Sequence, residues 1–263
     1  MRTFFWIWLV LGIMGGKSTS VMATPALTLA YENKHNFPFY IGNSEEVVPE
    51  KPGLAVDAIL ALQKKVDVKI QLTRCPWKRC FALVEAGQVD GVFIASFKPE
   101  RMQQGVYPTK NAEVDPTRRV TSITYVLYKT KDSPLQWDGK QVLNLDGAIG
   151  APLGYSISGD LRKMGIPVDE SENTLTDLIK LTLGRVKGVA ALELSGDFYL
   201  KSDPKKFKDI VKVDPPLETK AYYLMFSHQF MKTNASLAET LWNAIPQIRE
   251  SEEFHQMNAK YLQ

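Results

Sequence analysis

The chain has 263 residues, 44% hydrophobic and 23% charged, which excludes a disordered chain or a membrane bundle and leaves room for one large or two modest domains. The formal net charge is +3, from 32 Lys and Arg against 29 Asp and Glu. No basic block is interleaved with aromatic residues, so nucleic-acid binding is set aside and clusters such as Lys205-Lys206-Phe207-Lys208 read as solvated faces.

At the N-terminus Arg2 precedes an apolar run over residues 4–14, and small and polar residues follow as far as Val21-Met22-Ala23. The pattern predicts a secretory signal peptide over residues 1–23, cleaved before Thr24, because the run is shorter than a membrane span needs. An uncleaved anchor is the alternative reading. No cysteine lies near the cleavage point to accept a lipid, so a soluble periplasmic protein is expected. Cleavage removes Arg2 and Lys17 and no acid, leaving 30 basic against 29 acidic residues and a formal charge of +1.

Leu27, Leu29 and Tyr31 alternate as in a half-buried strand, and a polar, proline-containing loop follows to Pro52. Val56, Ile59, Leu60 and Gln63 then share one helical face. Val68, Ile70 and Leu72 alternate again, Trp77, Cys80, Phe81 and Val84 repeat at helical spacing, and residues 89–95 form a nearly continuous apolar strand. This β-α-β-α-β order predicts a sheet wound with crossover helices. Ile123, Tyr125 and Leu127 form another strand before a polar stretch over residues 129–139.

The alternation then restarts. Residues 148–151 read as a short strand, Pro152-Leu153-Gly154 as a turn and residues 155–163 as a helix. Thr174 is placed to cap a helix carrying Leu175, Leu178, Ile179 and Leu183, ahead of a strand over residues 188–192. Residues 222–226 are strand-like, and Leu237, Leu241, Ile245 and Ile248 mark a last amphipathic helix that Pro246 should kink or break.

Cys75 and Cys80 sit in the segment Cys75-Pro76-Trp77-Lys78-Arg79-Cys80. In an oxidising compartment a short-loop disulfide is the favoured state, with two reduced, half-buried thiols as the alternative. His35, His228 and His255 are scattered without metal-ligand spacing, and no cofactor motif is present, so neither a metal nor a cofactor is expected.

The segment Gly87-Gln88-Val89-Asp90-Gly91-Val92-Phe93-Ile94-Ala95-Ser96-Phe97-Lys98-Pro99-Glu100-Arg101, with Val106-Tyr107-Pro108 after it, resembles the lobe-one signature of the polar-amino-acid periplasmic binding proteins, extracellular solute-binding family 3. Pro38-Phe39, residues 53–57, residues 150–156, Gly184-Arg185-Val186 and residues 222–227 fall in the order the family shows, over nearly all of the chain after the leader. Each motif alone is weak; their order carries the resemblance. It implies an α/β, two-lobed Venus-flytrap fold, each lobe a mostly parallel sheet flanked by helices. Lobe one would comprise residues 24–126 and 223–263 and lobe two residues 127–222, with hinge crossings near residues 125–129 and 219–223.

The resemblance also nominates a ligand shell. Arg101 matches the arginine that clamps the ligand α-carboxylate, a task suited to a planar pair of guanidinium donors. The competing reading is a surface arginine paired with Glu100. Ser96 matches an assisting loop residue, and Trp77 coincides with the aromatic that stacks on the ligand side chain, although a tryptophan at that place on an amphipathic helix also serves as core. Tyr155 and Ser156 fall where free backbone N–H groups at a helix start can hold an anion, and an ordinary capping turn is the competing reading for Ser156. Tyr155 departs from the small hydroxyl residue common there and narrows the expected pocket. The acidic partner for a ligand ammonium is expected at Glu193, with Glu32 or Asn33 at the other polar position, and an exposed turn as the default for these.

The implied function is capture of a small polar solute, an amino acid or related carboxylate, for an inner-membrane ABC importer by a monomer. Ligand signalling to a sensor kinase or chemoreceptor is the alternative on the same fold. A third reading is a dehydratase-like enzyme with Glu193 or Glu32 as general acid, but no Ser/His/Asp, Cys/His or phosphate-loop constellation supports catalysis.

Overall fold

In the computed structural model, which describes residues 24–262, the first alternation forms β1 (Ala26–Glu32). The expected leader over residues 1–23 lies outside the described residues. Helix α1 (Leu54–Val66) buries Leu54, Val56, Ile59 and Leu62, with Asp57 in its first turn and Lys64 and Lys65 in its last, charges that complement the helix dipole. Gly53 before it has φ 123°, and a Cβ there would lie 2.2 Å from the Phe39 carbonyl oxygen, so the entry to α1 requires glycine.

Strand β2 (Lys69–Cys75) leads into α2 (Trp77–Glu85), which buries Trp77, Cys80, Phe81 and Val84 along one stripe. A disulfide joins Cys75 to Cys80 and fastens the end of β2 to α2. Strand β3 (Gly91–Ser96) is buried throughout, as expected of a strand covered on both faces. The short hairpin β4 (Thr109–Lys110) and β5 (Glu113–Val114) precedes the ten-residue strand β6 (Thr121–Thr130).

A second hairpin, β7 (Gln136–Trp137) and β8 (Val142–Leu143), opens the next unit: β9 (Ile149–Pro152), α3 (Ser156–Lys163), β10 (Val168–Ser171), α4 (Thr174–Thr182), β11 (Gly188–Leu192) and α5 (Glu193–Ser202). The chain returns along β12 (Ile210–Phe226) and ends in α6 (His228–Arg249) and α7 (Glu252–Leu262).

The main sheet has the order β10-β9-β11-β6-β12-β3-β1-β2. The outer triads are parallel, and β6 and β12 run antiparallel to each other and to their neighbours. Strand β12 pairs with β6 from Ile210 to Tyr222 and with β3 from Tyr222 to Phe226, so one strand ties the two triads together. Its register shifts between Val213 and Glu218, where Pro215 and Pro216 cannot donate to a ladder.

The structure revises several sequence expectations. Asn173, not Thr174, caps α4, accepting from the Thr176 N–H at 2.9 Å. Helix α6 runs through Pro246, and its departure from helical geometry falls at Asn234 (φ −127°, ψ 27°). A proline there removes a hydrogen bond to the preceding turn and crowds that turn's carbonyl, but buried Leu241, Trp242, Ile245 and Ile248 hold both sides of it. The Trp242 indole N–H also donates to the Leu224 carbonyl at 2.8 Å. Strand β10 and helix α7 lack a legible pattern in the sequence; α7 buries only Phe254 and Tyr261, too few to mark a period.

Candidate functional site

Strands β1, β3 and β11 end around one cavity, and the turn after β9 closes it. A crevice at the carboxyl ends of strands is where open α/β sheets take ligands. The cavity has an empty volume of about 290 Å3 and is lined by Glu32, Asn36, Tyr40, Trp77, Ile94, Ser96, Arg101, Tyr125, Tyr155, Ser156, Leu192 and Tyr222. Six of the eight residues nominated from the sequence are therefore brought together: Glu32, Trp77, Ser96, Arg101, Tyr155 and Ser156.

Arg101 lies in a short 3-10 helix (Pro99–Gln103) and is only 8% exposed. Its Nη1 donates to the Ser96 carbonyl at 2.8 Å and to Ser96 Oγ at 2.9 Å, and Nη2 donates to the Gly154 carbonyl at 3.1 Å. The guanidinium carbon stands 4.5 Å from the Phe81 ring centroid and 5.9 Å from that of Trp77. Among the described residues no carboxylate is within ion-pair distance of this cation. Trp77 packs edge-on against Phe81, with centroids 4.7 Å apart, so it is both core and cavity wall.

Glu32 is the only acidic residue in the lining, and it is buried. The Tyr155 hydroxyl donates to its carboxylate, and the Asn36 amide donates to the same phenol oxygen at 3.2 Å. Ser195 Oγ in turn donates to Asn36 Oδ1 and to the Phe37 carbonyl, the latter at 3.0 Å. Burial pushes the Glu32 carboxyl up to about 7, against the opposing pull of the Tyr155 hydrogen bond, Lys34 and Arg74. Two buried hydroxyls of the lining, Ser156 Oγ and Tyr222 Oη, have no hydrogen-bond partner.

Ile94 has φ 58°, left-handed backbone that a β-branched residue rarely adopts. It sits at a β-bulge: Tyr223 of β12 pairs with Ala95 and Leu224 with Phe93, which leaves Ile94 without a cross-strand partner and on the cavity wall.

Glu193 and Asn33 lie outside the lining. Glu193 opens α5, and its carboxylate is 2.7 Å from the Lys212 ammonium, which also meets Asp197 at 2.8 Å. Leu192, one residue earlier, takes the place at the cavity. Of the nominated acidic residues Glu32 therefore lies in the lining and Glu193 does not, since the last residue of β11 faces the cleft and the first of α5 turns toward β12. Asn33 donates its backbone N–H to the Cys75 carbonyl at 3.0 Å, and its side chain contributes nothing to the wall. Sequence reasoning missed Asn36, Tyr40, Ile94, Tyr125, Leu192 and Tyr222. Tyr125, Leu192 and Tyr222 were legible as apolar strand residues, but the bulge that aims Ile94 has no sequence signal.

The cavity shares Arg101, Tyr155 and Ser156 with a wider groove of about 780 Å3, to which Lys78, Lys98, Arg162 and Lys163 contribute cations and Glu100 and Glu170 carboxylates. Among the described residues there is no cluster of His, Cys, Asp or Glu able to hold a metal ion, and no helix long and apolar enough to cross a membrane.

A family model of the bacterial extracellular solute-binding proteins, family 3, matches residues 28–263. Among solved structures, a histidine kinase sensor domain with similarity to periplasmic binding proteins superposes with a TM-score of 0.72 at 14% identity, covering 91% of this chain and 96% of that one. An ancestral arginine-binding protein bound to glutamine gives 0.69 at 18% identity, with 91% and 99% covered. The arginine-, lysine-, histidine-binding protein ArtJ from Geobacillus stearothermophilus gives 0.68 at 17% identity, with 91% and 95% covered. At these identities the likeness is one of fold. No curated protein sequence matches the chain.

Proposed function

The chain belongs to the bacterial extracellular solute-binding proteins, family 3, and we propose that it captures a small carboxylate-bearing solute, an amino acid or a close relative, for an inner-membrane ABC importer. The observation that carries this reading is Arg101, a cation with no carboxylate partner on the wall of a cavity at the carboxyl ends of the strands. An uncompensated charge out of water is costly, and a ligand carboxylate is the anion that offsets it.

In this reading residues 24–126 and 223–263 form lobe one and residues 127–222 lobe two, with the leader directing a monomer to the periplasm. Ser96, Trp77 and Arg101 hold the ligand from lobe one, and Tyr155 and Ser156 close on it from lobe two. Membership of a solute-binding family supports binding rather than reaction at this site.

A thermal-shift screen of the purified protein against amino acids and small organic acids tests the proposal. A true ligand at about a hundredfold excess over its dissociation constant stabilises by about 2.7 kcal/mol, and no shift with any carboxylate would sink it. Loss of uptake of the identified solute on deleting the gene would favour import; unchanged uptake would favour delivery to a sensor.

A further inference from the structure

An α-amino acid needs two opposite partners in a closed cleft, a cation for its carboxylate and an acceptor, ordinarily anionic, for its ammonium. Arg101 meets the first need. For the second the wall offers a single carboxylate, Glu32, and one of its two oxygens, Oε2, is already taken by the protein itself.

The occupant is the Tyr155 hydroxyl, carried in from the turn after β9. It belongs to a chain of hydrogen bonds that passes back and forth across the cleft: Ser195 donates to Asn36, Asn36 to Tyr155 and Tyr155 to Glu32. Each of the three acceptors in the chain is engaged. An incoming ammonium would have to share the carboxylate with the phenol through Oε1 alone, or displace the phenol and leave a buried hydroxyl without its acceptor. The fully buried wall atoms without a hydrogen-bond partner, Ser156 Oγ and Tyr222 Oη, are neutral hydroxyls that can donate to a carboxylate, carbonyl or hydroxyl oxygen and carry no charge to offset an ammonium. In the adjoining groove Lys98, Arg162 and Lys163 are ion-paired with Asp160, Glu170 and Glu100, which leaves Lys78 beside Arg101 to attract an anion.

We infer that the cavity selects carboxylates lacking an α-ammonium group, 2-hydroxy and 2-oxo acids in particular, over the amino acids bearing the same side chain, and that Tyr155 is the residue imposing this choice. The inference rests on the solute-binding reading of the same site. It assigns Tyr155 a specificity role: the phenol stands where a ligand ammonium would meet Glu32.

The test is calorimetric titration with three matched series of methyl, isobutyl and benzyl side chains: alanine, lactate and pyruvate; leucine with its 2-hydroxy and 2-oxo acids; phenylalanine with phenyllactate and phenylpyruvate. The wild-type protein should bind the best deaminated acid at least about tenfold more tightly than its amino acid, the loss expected when a buried charged group goes unpaired. Tyr155→Phe keeps the ring and frees Glu32, and should shift the ratio toward the amino acid by a similar factor, with a melting curve to establish that it is folded. Amino acids binding as tightly as their deaminated partners in the wild-type protein would overturn the inference and leave the solute-binding reading intact. Binding by no member of any series would overturn both. An unchanged ratio in folded Tyr155→Phe would remove the role of Tyr155, and the wild-type comparison stands even if that variant does not fold.

Discussion

Arg101 Nη2 donates to the Gly154 carbonyl at 3.1 Å, so the side chain proposed as the anion anchor is also bonded to the turn after β9 on the other side of the cavity. Its loss should therefore act on binding and on closure together. Titration of Arg101→Ala with the tightest wild-type ligand of the matched acid series should show affinity lowered by at least about tenfold, from the loss of a charge-assisted, two-pronged contact. Arg101→Lys should recover only part of it, because an ammonium keeps the charge without the fork. Wild-type affinity in a folded Arg101→Ala protein would remove the central site assignment.

Several further contacts cross the same cleft, among them the Lys34–Glu172 ion pair, Lys98 to Asp160 at 3.4 Å and the Tyr199 hydroxyl to the His35 carbonyl at 3.2 Å. A ligand that adds contacts to both sides favours the arrangement in which these form. Small-angle scattering should show a smaller radius of gyration at saturation with that ligand than without it. An unchanged profile would argue for a preformed or one-sided site.

Asp177 of α4 is fully buried, and neither carboxylate oxygen has a hydrogen-bond partner. Burial raises its carboxyl from 3.8 to about 7, with Asp169 and Glu170 adding to the rise and Ser171 and Lys180 opposing it. Because the folded state takes up this proton before the unfolded state does, ionisation of Asp177 lowers stability as pH rises through the window from about 4 to about 7. Wild-type stability measured against Asp177→Asn should accordingly increase as pH falls across that window, by at most about 1.4 kcal/mol per pH unit. The difference between the two proteins isolates Asp177 from His35, whose depressed titration works in the opposite direction. Parallel urea-melt profiles for the two would show that this carboxyl does not titrate there.

The disulfide between Cys75 and Cys80 closes the junction at which β2 hands over to α2 and Trp77 enters the cavity wall. Protein recovered by osmotic shock should take up no thiol reagent under denaturing, non-reducing conditions. Reduction should release two labelled cysteines. Labelling of two thiols before reduction would mean that the bond does not form in the cell.

Local periodicity determined the order of elements. Leu27, Leu29 and Tyr31 in β1, the stripe Trp77, Cys80, Phe81 and Val84 in α2, and the run into β3 are burial patterns that a chain must carry near in sequence to form a strand or helix. The family resemblance around Ser96 and Arg101, rather than periodicity, nominated eight residues, of which six line the cavity. What local pattern could not decide was which partners those residues meet. Tyr155 reaches Glu32 over 123 positions and Ser195 reaches Asn36 over 159, and no spacing within either segment encodes the other. That Glu193 stays out of the wall turned on a single step at the end of β11, where Leu192 faces the cleft and Glu193 swings to Lys212. The aim of Ile94 depended on a bulge against β12, a strand more than a hundred residues further along the chain. Elements are set by neighbours in sequence, whereas a binding wall is assembled from the ends of strands that only the completed sheet brings side by side.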